Sequence, residues 1–205
     1  MLHQVPPHCG ANENDVLRAM FAARKAVFVD LLGWDVPVHA GDFEVDQFDD
    51  EHAAYLVVTD ARGRHQASAR LLPTTRPHIL ADLYASLCEG PVPRGPDTFE
   101  ITRFCLDRRI DAAARRTARD RLILALVDHA LAFGIRRYTG VAEGRWLAQI
   151  LDFGWRASVL GAPQEMGKYK LGALLIEIGL DTPARLAAAG VGTRARTMRG
   201  MRHAL

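Results

Sequence analysis

The residues in this chain that could do chemistry are charged side chains placed among apolar ones. The segment 41–52 reads Gly-Asp-Phe-Glu-Val-Asp-Gln-Phe-Asp-Asp-Glu-His. In an extended chain, Asp42, Glu44 and Asp46 project from one side. Like charges on one face raise one another's pKa unless a cation lies among them. The segment therefore predicts a site for a positively charged group, and a solvated acidic loop is the alternative.

Four further charged residues stand where the pattern predicts apolar surroundings. Arg24 falls on the apolar stripe of a predicted helix, Arg70 lies in a strand, and Glu100 and Arg103 lie in another strand. Buried charges need partners. Arg24 is either an arginine that extends to solvent from the edge of the stripe or part of a site. Glu100 and Arg103 form either a structural ion pair or a polar cleft in which Glu100 handles a proton.

The spacing of Glu100 and Arg103 adds a geometric condition. Their separation is odd, so a regular strand would point them to opposite faces. A bulge at residues 101–103 would place both on one side. We therefore expect the strand to be irregular there.

The elements that must position these side chains follow from hydrophobic period and turn signals. We predict a long loop over 33–52, helices over 15–28, 77–88, 112–133, 145–153 and 182–189, and strands over 55–59, 65–72, 98–106, 137–142, 155–160 and 168–178. Strand pairs followed by strand–helix alternation predict an α/β fold, a three-layer α/β/α sandwich with a mixed sheet. We expect one domain over 1–205, with an ordered core over about 15–190 and an Arg-rich C-terminal tail.

Composition narrows the class of protein. The 205 residues are 49% hydrophobic and 24% charged, which is typical of one folded domain. The chain has no apolar run long enough to cross a bilayer, and its three cysteines are scattered. These features predict a cytoplasmic protein without disulfides or a bound metal. Residues 1–60 carry a net charge of −8 and the remainder +10. This segregation favours an acidic site in the first part and an anionic partner for the second.

Common catalytic motifs are absent from the sequence. It has neither a Gly-x-Ser-x-Gly nor a His-Glu-x-x-His motif. Residues 161–169 are similar to a phosphate-binding loop, but with one residue too many and Tyr169 where Ser or Thr should stand. Direct attack of one substrate on another, assisted by a base, is the chemistry that remains.

Taken in order, these residues resemble the acyl-homoserine-lactone synthases, the autoinducer synthases of bacterial quorum sensing. The resemblance runs from about residue 15 to 178. It rests on Arg24-x-x-x-Phe28, Trp34, the segment 41–50, Tyr55-Leu56, Arg70-Leu-Leu-Pro-Thr-Thr75, Glu100-Ile-Thr-Arg-Phe104 and Gly154-Trp155. Each motif alone is weak, but their shared order and spacing are highly specific.

The resemblance implies a fold similar to the GCN5-related N-acetyltransferases. It also implies synthesis of an N-acyl-homoserine lactone from S-adenosylmethionine and an acyl thioester, with S-adenosylmethionine as a substrate and no cofactor. Glu100 would be the base, and Arg70 and Arg103 would orient carboxylates. The residues implied to bind S-adenosylmethionine are Arg24, Phe28, Trp34, Glu44, Asp46 and Asp49, with the acidic loop attracting the cationic groups and Phe28 and Trp34 closing over the substrate.

The same resemblance suggests where the acyl chain lies. The candidate pocket residues are Ile101, Leu126, Thr139, Val141, Trp146 and Leu175, and ordinary core packing is the alternative for the apolar ones. Threonine at the position of Thr139 goes with 3-oxo acyl chains in relatives. We expect a chain of medium or short length.

An arginine cluster suggests the partner that delivers the chain. The cluster consists of Arg108, Arg109, Arg115, Arg116 and Arg119. Acyl carrier proteins are acidic, so this surface is a candidate dock, and a solvated helix face is the alternative. The cluster lacks interleaved aromatic residues, which argues against nucleic acid. The acyl donor is either acyl carrier protein or acyl-CoA.

Two other functions are compatible with the pattern. One is an acetyltransferase-like enzyme that acylates another amine from acyl-CoA, but residues 107–115 contain no glycine where such enzymes bind pyrophosphate. The other is a ligand-binding module without catalysis.

Overall fold

The computed structural model describes residues 1–5 and 15–192, which divide into two compact units. The first unit comprises residues 1–71 and 103–125, and the second comprises residues 72–102 and those from 126 onward. The prediction of a single domain stays a prediction. The Arg-rich end and Cys9 lie outside the described residues.

The first unit is built on an antiparallel sheet and the first helix. Strand β1 (Leu2–Val5) pairs with β4 (Ala54–Thr59), which pairs in turn with β5 (His65–Pro73). Helix α1 (Asp15–Arg24) turns its buried stripe inward and continues as a π-helical turn over Lys25–Val29. Between them, β2 (Val38–His39) and β3 (Phe43–Glu44) form a small hairpin. Such π turns frequently occur at functional sites.

The second unit contains a mixed sheet. Strand β6 (Thr98–Leu106), whose last residues belong to the first unit, runs parallel to β7 (Arg137–Glu143), and their pairing ends at Glu100 and Thr139. Strand β10 (Tyr169–Glu177) is antiparallel to β7, to β8 (Arg156–Val159) and to β9 (Gln164–Met166).

Helices cover both faces of this mixed sheet. Helix α3 (Ala112–Phe133) belongs to the second unit from Leu126 onward, and this part meets one face, where Tyr138 Oη donates to the Leu126 carbonyl. Helix α4 (Gly144–Leu151) packs on the same face, with Leu147 against Gly172. Helix α2 (Ile79–Leu83) lies on the opposite face, where it receives the Glu100 carboxylate. The α/β fold with a mixed sheet is therefore confirmed.

Several predicted elements need correction. The helix expected over 77–88 is only α2 followed by a 3₁₀ turn at Ala85–Leu87, because Tyr84 leaves helical geometry. The loop over 33–52 contains the β2–β3 hairpin, and the helix expected over 15–28 ends in the π turn. Strands β1 and β9 were not predicted, because such short strands contain too few residues to show an alternation of apolar and polar side chains. Helix α5 (Thr182–Ala188) lies where expected.

No helix in the described ranges is both long enough and apolar enough to cross a membrane.

Candidate active site

Six of the predicted site residues form one ion-pair network within the first unit. Its carboxylates come from the acidic segment and its guanidinium groups from α1, β5 and β6. The members are Glu44, Asp46, Asp49, Arg24, Arg70 and Arg103. With three of each sign, the network carries no net charge.

Arg24 anchors this network from the buried stripe of α1. Its Nε donates to Glu44, and its Nη1 and Nη2 form a two-pronged contact with Asp49 at 2.7 and 2.8 Å. The residue is fully buried, so the alternative of an arginine reaching solvent is wrong. Burial alone would lower the pKa of Arg24, but the bonds and charges of Asp49 and Glu44 outweigh it and raise that pKa.

Asp49 is saturated with hydrogen bonds. Its carboxylate accepts from Arg24, from Arg70 Nη1 at 2.8 Å, from Tyr55 Oη at 2.9 Å and from the Asp46 amide at 2.9 Å. Burial would raise the pKa of Asp49, but Arg24 and Arg70 hold it well below its usual range. These contacts tie the acidic segment to α1, β4 and β5, so Asp49 organises the loop in this structure. Its contact with a substrate stays a prediction.

Asp46 and Arg103 form the more exposed edge of the network. Arg103 Nη2 donates to Asp46 at 2.7 Å and to Glu44 at 2.9 Å, and Arg70 also donates to Asp46 at 2.6 Å. The side chains of Arg103 and Asp46 are 9% and 6% exposed, against 1% for Arg24 and Asp49. A ligand that approaches the network therefore meets Arg103 and Asp46 first.

The backbone at Arg103 is unusual. Its φ is +49°, in the left-handed region that residues with a Cβ rarely adopt. Burial alternates through Thr98, Glu100 and Thr102 and then resumes out of phase at Cys105. The strand is thus irregular at Arg103, as its spacing from Glu100 required. Such strain persists where the surroundings hold it and is typical of functional sites.

Aromatic rings lie against the guanidinium of Arg103. Phe28 and Trp34 stack with their ring centroids 4.7 Å apart, and the Arg103 Cζ lies 5.6 Å from the first ring and 5.8 Å from the second. Phe28 is buried and Trp34 half-buried. The expected cation–π contact is therefore made by a protein arginine. The contact of these rings with a substrate stays a prediction.

Glu100 lies in the second unit and caps α2. Its two carboxylate oxygens accept from the amides of Ile79 and Leu80, each at 2.8 Å, and the side chain is fully buried. Arg103, in the first unit, donates to Glu44 and to Asp46.

The six candidate acyl-pocket residues do not lie on one sheet face. Thr139, Val141 and Leu175 share the face of α2, since Thr139 pairs with Leu175 and lies two residues from Val141. Ile101 follows Glu100 and points to the other face, where Leu126 of α3 packs, and Trp146 belongs to α4 on that side. Adjacent strand residues alternate in direction, so the six residues do not all face the same side of the sheet. Their role in binding an acyl chain stays a prediction.

The arginine cluster is also divided by its contacts. Arg108, Arg109 and Arg116 are exposed, although Arg109 pairs with Asp107 at 2.9 Å. Arg115 donates to the carbonyls of Arg108 and Ile110, and Arg119 pairs with its neighbour Asp120. Arg115 and Arg119 are half-buried, which leaves Arg108, Arg109 and Arg116 as the surface that a partner could reach.

Two residues near these sites were not assigned a role from the sequence. Tyr55, on β4, orients Asp49 through its hydroxyl and packs edge-on against Phe21. His78, just before α2, is fully buried, and its Nε2 has no hydrogen-bond partner among the residues that the structure describes. Tyr55 lay within the matched pattern, whereas nothing in the sequence distinguished His78.

A cavity of about 580 Å³ lies elsewhere in the second unit. It is lined by Asp97, Arg136, Arg137, Arg156, Glu177, Ile178 and Gly179. None of these is a predicted site residue, and two of its arginines pair with Asp97 and Asp181. Within the described part of the chain, no cluster of His, Cys, Asp and Glu is arranged to hold a metal ion.

The mixed sheet with helices on both faces defines the chain as an α/β protein. A protein from Lactobacillus plantarum assigned as an N-acetyltransferase shares the fold at a TM-score of 0.56 and 18% identity, covering 87% of this chain and 99% of its own. Residues 9–185 match the autoinducer synthase family. The chain belongs to that family.

Individual relatives agree with this assignment. The chain is 35% identical over 174 residues to an acyl-homoserine-lactone synthase of Ralstonia nicotianae, covering 82% of this chain and 84% of the relative. It is also similar to BjaI, a CoA-dependent acyl-homoserine lactone synthase solved with S-adenosylmethionine and isopentyl-CoA. That likeness has a TM-score of 0.80 and 26% identity, and covers 94% of this chain and 90% of BjaI.

Proposed function

We propose that this protein synthesises an N-acyl-L-homoserine lactone from S-adenosylmethionine and an acyl thioester. The observation that carries the proposal is the neutral network of three arginines and three carboxylates in a chain of the autoinducer synthase family. An arrangement that holds Arg103 in strained geometry has a use beyond stability.

The reaction needs two bond exchanges. The substrate ammonium loses a proton to a base, the amine attacks the thioester carbon, and an amide forms as the thiol leaves. The carboxylate oxygen then attacks the carbon bonded to the sulfonium, which closes the lactone and releases methylthioadenosine. Both exchanges balance without an oxidant or a metal, so we propose that the enzyme uses no cofactor. Either exchange can come first in this scheme.

Within the network we assign substrate contact to the exposed edge. Arg103 offers its guanidinium to the substrate carboxylate, Asp46 accepts from the ammonium, and Trp34 packs against the substrate. Arg24, Glu44, Asp49 and Arg70 hold this edge in place, because they are buried and paired with one another. The roles implied for Glu44 and Asp49 thus become positioning roles, and Phe28 supports Trp34 through its stacked ring.

Glu100 is the proposed proton acceptor, in line with the family resemblance. Its carboxylate is oriented by the two amides of α2. Hydrogen bonds from two amides favour the charged carboxylate, which is the form that can accept a proton.

The acyl donor is acyl-CoA or an acyl carrier protein. BjaI was solved with an acyl-CoA, which favours CoA. The exposed Arg108, Arg109 and Arg116 favour an acidic carrier, and also suit the phosphates of CoA. We expect a triple Arg108→Glu, Arg109→Glu, Arg116→Glu variant to raise KM for the carrier steeply at low salt, and the effect to shrink as salt rises. Arg62→Glu, on the exposed β4–β5 turn, is the matched control. An unchanged KM for the carrier at low salt would remove these arginines from docking.

The reaction is expected in the bacterial cytoplasm, where both substrates are made. Bacteria that express the full chain should release a lactone detectable by mass spectrometry. Arg103→Lys keeps the charge but loses the planar fork that reaches both Glu44 and Asp46, so it should abolish the signal. If the parent chain yields no lactone while it accumulates in soluble form, the proposal is wrong. The acetyltransferase-like reaction on another amine is then the alternative to test.

A further inference from the structure

The phenol of Tyr55 is an uncharged donor buried inside the ion-pair network. Tyr55 is 5% exposed, and its Oη donates to Asp49 Oδ1 at 2.9 Å. Burial and the charge of Asp49 raise the pKa of Tyr55, so the hydroxyl keeps its hydrogen throughout the neutral range. The three arginines and three carboxylates already balance one another, so Tyr55 adds a directed hydrogen bond to the network without changing its charge.

The ring of Tyr55 is held between a strand and a helix. On β4 it lies opposite Arg70 of β5, and its ring packs edge-on against Phe21 of α1, with the ring centroids 5.8 Å apart. Phe21 also lies against the Arg24 guanidinium, whose Cζ is 5.0 Å from the ring centroid. Close packing keeps buried rings in one rotamer, so the Tyr55 hydroxyl occupies a fixed position.

The Tyr55 hydroxyl fixes the orientation of the Asp49 carboxylate. It shares the Oδ1 oxygen of that carboxylate with Arg24 and Arg70, so three donors converge on one atom. The Oδ2 oxygen of Asp49 then accepts from the Asp46 backbone amide at 2.9 Å. Rotation of the carboxylate would break both sets of bonds, so the phenol fixes the amide of Asp46 through Asp49.

Asp46 carries this positioning to the exposed edge of the network. Its carboxylate accepts from Arg70 Nη1 at 2.6 Å and from Arg103 Nη2 at 2.7 Å. A shift of the Asp46 backbone would therefore displace both the carboxylate and the guanidinium that we assign to the substrate. The path of contacts runs from Tyr55 through Asp49 and Asp46 to Arg103.

We propose that Tyr55 is a positioning residue that sets the affinity for S-adenosylmethionine by fixing Asp46 through Asp49. The inference rests on the proposed function, in which Asp46 and Arg103 contact that substrate. Glu100 is oriented by the amides of α2 and takes no part in this path. Tyr55 therefore acts on the binding of one substrate and leaves the acyl thioester unaffected.

The test is Tyr55→Phe in the purified full chain. The change removes the hydroxyl, keeps the ring against Phe21 and leaves the charge of the network unchanged. We expect the dissociation constant for S-adenosylmethionine, measured by titration calorimetry without a donor, to rise about tenfold, because a hydrogen bond to a charged group is lost. With the acyl thioester that the parent uses best, KM for S-adenosylmethionine should rise by the same factor, while kcat at saturation and KM for the thioester stay unchanged.

Tyr138→Phe is the matched control for a purely structural effect. It removes another buried phenol hydroxyl, which donates to the Leu126 carbonyl at 3.0 Å in the second unit. Both variants should unfold at a lower urea concentration than the parent, because each loses a buried hydrogen bond. Only Tyr55→Phe should bind S-adenosylmethionine more weakly.

The outcomes separate the two levels of the argument. An unchanged affinity in Tyr55→Phe, an equal loss of affinity in Tyr138→Phe, or a fall in kcat that saturating S-adenosylmethionine does not restore would overturn the positioning role. A parent chain that does not bind S-adenosylmethionine would instead overturn the proposed function.

Discussion

Replacing Asp49 by asparagine tests the ion-pair network most sharply. The change keeps the shape of the side chain and removes its charge, so the buried network goes from neutral to a net charge of +1. The Asp49 carboxylate accepts from Arg24, Arg70, Tyr55 and the Asp46 amide, and an asparagine amide cannot accept all of these bonds.

The expected loss is large for a chain of this size. Removing one partner of a buried ion pair costs about 3–5 kcal/mol. The free energy of unfolding of a domain is about 5–15 kcal/mol, so Asp49→Asn should lose roughly a fifth of it or more. Urea unfolding followed by the fluorescence of the three tryptophans measures it.

Acid adds a second readout for the same variant. The pKa of Asp49 is lowered on folding, so its stabilising effect is present above the unfolded pKa of about 4 and is lost progressively as pH falls from there through the lower pKa of the folded state. Parent and variant should therefore converge in acid. Asp42→Asn, on an exposed aspartate of the same segment, is the control and should cost less than about 0.5 kcal/mol. If Asp49→Asn is as mild as this control, the network does not hold the loop.

Three other changes test separate parts of the structure. Glu100→Gln leaves one amide of α2 without an acceptor, so it should lower the free energy of unfolding by about 1–3 kcal/mol and also lower turnover. Reduced turnover with unchanged thermal unfolding would argue against the role of Glu100 as the cap of α2. Gly154→Ala should lower the free energy of unfolding, measured in urea, much more than Gly63→Ala. Both glycines have positive φ, which costs an alanine about 1–2 kcal/mol, but only at Gly154 would the new Cβ also lie 2.6 Å from Ala189 Cβ. Equal losses would contradict the packing of α5. Burial lowers the pKa of His65 to about 4, so its neutral form stabilises the fold above pH 6.5, and this contribution of roughly 3 kcal/mol is lost as pH falls towards 4. In His65→Gln the free energy of unfolding should therefore depend less on pH between pH 7 and 4.5. An identical slope in parent and variant would refute the assignment.

Local signals predicted the long elements well. Strand β6 and helix α3 have the predicted ends, because β6 alternates strongly and α3 begins after Asp111, which accepts from the Ala113 and Ala114 amides. The short strands were missed because two or three residues are too few to show a hydrophobic period. The odd spacing of Arg103 from Glu100 predicted an irregular strand at this position.

The site residues were predictable as a set, but their pairing was not. The motif selected Arg24, Glu44, Asp49 and Arg103, yet it did not show that the arginines neutralise the carboxylates across 20 to 59 positions of the chain. Which carboxylates remain exposed depends on those long-range contacts. The same limit explains why His78 was overlooked, since only the structure shows that its Nε2 is buried and has no partner within 1–5 and 15–192.

The central claim is that this chain couples the acylation of S-adenosylmethionine to lactone closure. The direct measurement is the product stoichiometry of the purified full chain with S-adenosylmethionine and an acyl thioester, quantified by mass spectrometry and thiol titration. The account predicts lactone, free thiol and methylthioadenosine in equal amounts, and none of the three with Arg103→Lys. Thiol release without methylthioadenosine, or an acylated product that keeps the sulfonium, would contradict it.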